Sequence, residues 1–131
     1  MASLLTKDDR NMTQPHPTEI TLHTQSNVLE ITFSDAQRFR LDFELLRVYS
    51  PSAEVQGHSP EQAVLQTGKR GVKIVGIEPA GHYALKLIFS DGHDTGLYTW
   101  PYLYQLGQHS EARWADYVQR LEAAGASRES V

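Results

Sequence analysis

The run Tyr83-Ala84-Leu85-Lys86-Leu87-Ile88-Phe89 restricts the fold of this chain more than any other stretch. Tyr83, Leu85, Leu87 and Phe89 alternate, and alternate residues of an extended strand share one face. Asp91-Gly92 follows directly, a dipeptide that favours a tight hairpin because glycine accepts positive φ. Thr95-Gly96-Leu97-Tyr98-Thr99 can then return as the partner strand.

The upstream chain has the same grammar. Glu19–His23, Val28–Phe33 and Arg38–Leu41 are short alternating segments, separated by Ser26-Asn27 and Ser34-Asp35. They read as an antiparallel meander. Gly71–Glu78 reads as a further strand, with Val72, Ile74 and Gly76 on one face, Val75 and Ile77 on the other, and Pro79-Ala80-Gly81 turning the chain. Phe43–Val48 fits one helical turn entering a buried seam. A short helix is predicted over Pro60–Gln66, with Ser59 as cap, Gln62 completing a capping box and Gly68 as stop. Pro101–Leu106 is predicted helical and ended by Gly107. The final helix is capped by Ser110, places Trp114, Tyr117, Val118 and Leu121 at i, i+3, i+4 and i+7, and stops at Gly125. The expected class is α+β: antiparallel β-sheet meanders with short helices gathered at the C-terminus.

With 131 residues the chain suits one domain, expected over residues 18–125. Residues 1–17 read as a disordered extension, with Met12 as the native start and 1–11 as an upstream addition; residues 126–131 read as a frayed tail. The chain has no cysteine, which excludes disulfides, thiolate zinc sites, iron–sulfur ligation and a cysteine nucleophile. Net charge is -4, with no basic surplus to drive nucleic-acid binding. No apolar run approaches the roughly 20 residues that span a bilayer, and no signal-peptide core is visible at the start. A cytoplasmic location suits these features.

Several residues invite chemical readings. His93 is foremost; a lone histidine most often satisfies a buried polar partner. His58 with His93 and Asp91 could form a metal or small-ligand site. His93-Asp94 does not fit a facial iron triad, because neighbours on a strand point to opposite faces. Ser50 or Ser52 with His93 and Asp94 lacks the nucleophile elbow of a hydrolase. Gly68-Lys69-Arg70-Gly71 is cationic but is not a phosphate-binding Walker loop, and reads as a solvated turn. Tyr98, Trp100, Tyr102, Tyr104 and Trp114 read as core and helix–sheet packing, with Tyr98 and Trp100 pointing one way. Tyr49–Gly71 is the longest irregular region, and long loops in compact domains are often functional.

Three separated motifs agree in order: Leu46-Arg47-Val48-Tyr49-Ser50-Pro51-Ser52, Gly71-Val72-Lys73-Ile74, and Asp91-Gly92-His93 through Trp100-Pro101-Tyr102-Leu103. Over roughly Pro17–Gly125 the chain resembles the gamma-butyrobetaine hydroxylase-like N-terminal domain family, which also occurs as small bacterial proteins of unknown function. In the full-length hydroxylases this domain precedes a catalytic domain that binds iron and 2-oxoglutarate. The resemblance therefore implies the accessory module without the oxygenase activity, and no cofactor. Zinc-binding members carry Cys-Pro-Cys-x-x-Cys and a later histidine. This chain reads Ser50-Pro51-Ser52-Ala53-Glu54-Val55 there, with His93 retained. Neutral hydroxyls are poor zinc ligands and Val55 cannot ligate. The implied site is degenerate, with Pro51 and Val55 packed near His93 and Ser50 or Ser52 bonded to its ring. Relatives fused to oxygenases or to P-loop proteins of iron–sulfur metabolism imply a protein-docking role. The candidate contacts are Tyr49, Glu54, His58, Lys69, Arg70 and His93, toward an unknown protein partner or a second copy in a homodimer, and not toward nucleic acid or a membrane.

Overall fold

The computed structural model describes residues 14–57 and 63–129. Six strands form two antiparallel sheets of three, in the orders β1-β2-β3 and β4-β5-β6. The first contains β1 (Pro17–His23), β2 (Val28–Phe33) and β3 (Arg38–Asp42); the second contains β4 (Ile74–Ala80), β5 (Ala84–Phe89) and β6 (Leu97–Thr99). Helices α1 (Phe43–Val48) and α2 (Ala53–Gln56) lie between the sheets in sequence, and α3 (Trp100–Gln108) and α4 (Ser110–Ala124) follow them. The α+β class and both meanders are as the sequence implies.

Strand β2 shows why the first sheet forms. Leu29, Ile31 and Phe33 are buried on one face, while the intervening Glu30 and Thr32 are less enclosed. Register pairs Ile31 with Ile20 on one side and with Phe39 on the other. Phe33, Phe39 and Tyr104 of α3 then meet edge to face, with ring centroids 5.1–5.9 Å apart, an arrangement that suits aromatic quadrupoles. A Cβ added at Gly107 would come within 2.4 Å of the Phe39 ring, so α3 seats on β3 only because that residue has no side chain. Gly107 lies inside α3 and does not end it.

The second sheet follows the same logic with three departures. Leu85, Leu87 and Phe89 are buried as the alternation implies, but Tyr83 is exposed, because it sits in the turn before β5. Strand β4 begins at Ile74, and a register irregularity between Ile74 and Gly76 leaves Val75 exposed. Residues 93–96 are irregular, so the return strand is only Leu97–Thr99. Tyr98 is fully buried and donates its hydroxyl to Leu46 O at 2.6 Å. Trp100 does not continue the strand: it opens α3, whose cap is the Thr99 hydroxyl accepting from the Tyr102 N–H.

Both sheets, α1, α3 and α4 contribute to a single apolar core. Helix α4 buries Tyr117 and Leu121, leaves Trp114 and Val118 half-buried, and ends at Gly125 in the left-handed conformation. Its N-cap is His109, not Ser110. Ala63–Gln66 is not helical, and the remainder of the helix predicted over Pro60–Gln66 lies outside the described residues. Residues 1–13, including Met12, also lie outside them. Where fraying was expected after Ala126, Ser127 O and Arg128 O accept hydrogen bonds from the N–H groups of Gly68 and Arg70, both at 3.0 Å. No helix among the described residues is long and apolar enough to cross a membrane.

Candidate functional site

The loop between α1 and α2 meets the β5–β6 connection at His93. Ser50 Oγ lies 2.8 Å from His93 Nε2, and Ser52 Oγ lies 3.4 Å from it. The Ser52 N–H donates to Ser50 Oγ at 3.3 Å, and the Gln56 side-chain amide donates to Ser50 O at 3.0 Å. Ser50, Ser52 and Val55 are buried. Gly96 allows this approach: a Cβ there would lie 2.5 Å from Ser50 Oγ and 3.2 Å from Pro51 Cδ. The expected hydroxyl–imidazole bond is therefore present, made chiefly by Ser50.

The His93 side chain is only 8% exposed. Burial lowers its pKa, and the Arg47 guanidinium adds to that effect against the opposing pull of Glu54 and Asp91. The ring is thus neutral near pH 7. Glu54 Oε1 stands 4.0 Å from Nδ1, which favours a proton on that nitrogen and leaves Nε2 to accept from the Ser50 hydroxyl.

Beside this contact is an ion cluster that the sequence reading did not identify. Arg47 projects from α1 with its side chain 8% exposed. Its Nε donates to Asp91 Oδ2 at 2.9 Å, and an Nη donates to Gln66 Oε1 at 3.1 Å. Lys69 Nζ donates to the same Asp91 oxygen at 2.7 Å, while Asp91 Oδ1 accepts the His93 N–H at 3.2 Å. Burial pushes the Asp91 carboxyl up, but hydrogen bonds from Lys69 and Arg47 more than offset it and hold the pKa at about 2. The one available signal was a charged residue inside the apolar run Leu45-Leu46-Arg47-Val48. A buried guanidinium there requires a carboxylate somewhere in the fold.

The remaining candidates separate. Asp91 is committed to Arg47 and Lys69, so it is not free to join His93 as a ligand. His58 lies outside the described residues. No group of three or more metal-ligating residues occurs among the described residues. Asp94 sits 3.9 Å from Lys86 Nζ, away from any triad. Tyr49 is buried, with its hydroxyl donating to Arg113 O at 2.7 Å. Tyr49 and His93 therefore cannot form an outer contact surface, and Lys69 is tied to Asp91. Glu54 and Arg70 are exposed.

The motifs that build this cluster, and the sheets that carry it, fall within a recognisable stretch. The sequence profile of the gamma-butyrobetaine hydroxylase-like N-terminal domain matches residues 20–104. The chain belongs to that family. Two NMR solution structures are similar to this gamma-butyrobetaine hydroxylase-like N-terminal domain. One is 51% identical, covering 88% of this chain and 91% of that one; the other is 52% identical, covering 89% and 87%; the TM-score is 0.77 for each. A crystal structure from Acidithiobacillus ferrooxidans, described as a protein with unknown function of the DUF971 family, is 43% identical with a TM-score of 0.59 and covers 72% of this chain and 93% of that one. No curated protein matches the chain. The matched residues of the gamma-butyrobetaine hydroxylase-like N-terminal domain include Arg47, Ser50, Asp91 and His93, whereas α4 and the tail after it lie beyond them.

Proposed function

We propose that this protein is a non-catalytic accessory domain that docks to a protein partner, and that its former metal position has become a structural contact. One observation carries this reading. The residues that could do chemistry at the site are satisfied by neighbours, with His93 on Ser50 and Asp91 on Arg47 and Lys69. Sites built for catalysis or metal capture usually keep a group open to substrate or ion. Here the cluster fixes the shape of the loop above it.

That loop presents an outer rim. Glu54 accepts from the Thr95 hydroxyl, and Leu97, two residues further on, is 43% exposed beside Lys86. An exposed apolar residue paired across the strands with Lys86, which itself lies 3.9 Å from Asp94, suits a small protein interface. Affinity capture from cells of the source organism, quantified against Leu97→Asp, tests the reading. The expected result is a partner held by the wild type and lost from the variant, with both proteins melting alike. Identical retained proteins in both samples contradict it. The competing reading, a metal protein using His58, His93 and Asp91, requires a stoichiometric metal that disappears in His93→Ala.

A further inference from the structure

The two sheets repeat one pattern. Leu29, Ile31, Phe33, Ser34 and Asp35 of the first correspond to Leu85, Leu87, Phe89, Ser90 and Asp91 of the second. The Phe33 and Phe89 N–H groups donate to Gln37 O and His93 O at 2.8 and 3.0 Å. Asp35 Oδ1 accepts the Gln37 N–H at 3.0 Å, as Asp91 Oδ1 accepts that of His93 at 3.2 Å. The next residues, Ala36 and Gly92, both have positive φ, 72° and 87°. Strands β1 and β4 shift register at the same place, Pro17/Glu19 and Ile74/Gly76. Pairing then equates the outward residues one by one. Glu30 lies between Thr21 and Arg40, and Lys86 between Glu78 and Leu97; Thr32 faces Glu19, and Ile88 faces Gly76.

On this shared backbone the two outer faces differ in chemistry. On the first sheet Glu30 is ringed by His23, Arg40 and Arg38 at 2.8, 3.5 and 3.6 Å, so that face satisfies its own charges. On the second, Leu97 stands in the place of Arg40, Ile88 in that of Thr32 and Gly76 in that of Glu19. Leu97 is exposed, Val75 at the register shift is 65% exposed, and Ile88 is half-buried on the strand between them. Lys86 lies 4.0 Å from Glu78 and 3.9 Å from Asp94.

We propose that the outer face of the second sheet is the docking surface, and that its occupant is an amphipathic helix of a partner protein with basic residues beside its apolar stripe. This rests on the docking reading above and names the partner's chemistry. Neither edge suits an added strand: β4 is shifted in register and carries Pro79, and β6 has three residues. Strand spacing and rise make the face about 14 Å by 20 Å. That area, on the order of 300 Å², falls well short of the roughly 800 Å² per partner of a stable dimer. A single helix, about 10 Å across, covers Val75, Ile88 and Leu97. Two carboxylates share one lysine on this face, which leaves acidic charge for a basic helix.

Amide NMR of the full chain, titrated with two peptides of about 18 residues, long enough to form helix in water, provides the test. One peptide carries leucine on one face and lysine on the other; the second has glutamate in place of lysine. Expected are shifts at Gly76, Glu78, Lys86, Ile88 and Leu97, none at Thr21, Glu30 and Thr32, and binding of the glutamate peptide weaker by about tenfold or more. Ile88→Thr and Leu97→Arg give the second sheet the residues of the first, and each should weaken the lysine peptide by about tenfold. Ile88→Thr leaves the charge unchanged, so it separates apolar contact from repulsion. The proposal is overturned by no shift on the second sheet, by equal shifts on the first, by equal affinity for the two peptides, by affinity unchanged in folded Ile88→Thr, or by self-association of the chain that Leu97→Arg abolishes. If a captured partner is still lost in Leu97→Asp, those results sink the helix alone and leave docking at Leu97 standing. A partner captured equally by wild type and Leu97→Asp sinks both.

Discussion

Asp91→Ala is expected to destabilise the fold more than any other single change at the His93 cluster, by about 3–5 kcal/mol, the usual cost of stranding one member of a buried ion pair. That corresponds to a melting temperature lower by about 10 °C or more for a domain of this size. The effect should be asymmetric. Arg47 is 8% exposed and would keep only the Gln66 amide, whereas Asp91 is 25% exposed and would keep Lys69 if Arg47 were removed. Arg47→Met should therefore cost less than Asp91→Ala. The double variant should be more stable than Asp91→Ala alone, because it leaves no stranded charge. The same carboxylate sets an acid limb. Its folded pKa, about 2, lies below the ordinary 3.8. Its contribution is thus complete above about pH 4 and is lost as the pH falls through about 2. With a quarter of the side chain open to solvent, that contribution is on the order of 1–2 kcal/mol. Asp91→Ala should flatten this part of the pH–stability curve. Chemical denaturation of the variants across that range checks all of these outcomes, and a double variant less stable than Asp91→Ala would contradict the ion-pair explanation.

The second large effect is expected at the other end of the chain. Glu44 is 7% exposed in α1, and Arg128 reaches it with two hydrogen bonds of 2.9 and 2.7 Å. The Arg128 guanidinium also covers the Trp114 ring at 4.9 Å. Removing it in Arg128→Ala leaves Glu44 charged and enclosed, and strips a cation from an aromatic face. Because Arg128 is itself 37% exposed, the cost should lie below the full buried-pair figure, at about 2–3 kcal/mol. Release of the tail would also free the Gly68 and Arg70 N–H groups, which now donate to Ser127 and Arg128. Their hydrogen exchange should rise toward loop rates in the variant. Adding Glu44→Gln should recover part of the stability by removing the stranded charge. A melting temperature unchanged by Arg128→Ala would show that the clasp contributes nothing.

These two ion pairs mark where sequence reasoning stops. Alternation located the strands because it is a local signal: Leu29-Ile31-Phe33 and Leu85-Leu87-Phe89 need only their own spacing. Periodicity does not say where a strand begins, so Tyr83 kept the phase of β5 while standing outside it. Strand alternation carried past Thr99 likewise gives Tyr98 and Trp100 one direction, whereas Thr99 caps a helix that Trp100 opens one residue before the predicted Pro101. The Ser50–His93 contact was legible only because a family pattern set the two positions side by side. Arg47–Asp91 and Glu44–Arg128 join residues 44 and 84 positions apart. No local pattern links such partners. The composition of the last six residues suggested fraying, since neither the buried carboxylate of Glu44 nor the carbonyls offered to residues 68 and 70 can be seen without the fold.

The proposed structural role of His93 requires that hydrogen bonding at a neutral imidazole, and not an ion, join the α1–α2 loop to the β5–β6 connection. Nitrogen-15 spectra of the His93 ring, recorded near pH 7 with a chelator and then with excess zinc, test it most directly. The expected spectrum is a neutral ring protonated on Nδ1, with an unprotonated Nε2 that zinc does not move. A zinc-dependent shift of Nε2 at one equivalent, accompanied by a higher melting temperature, would contradict it.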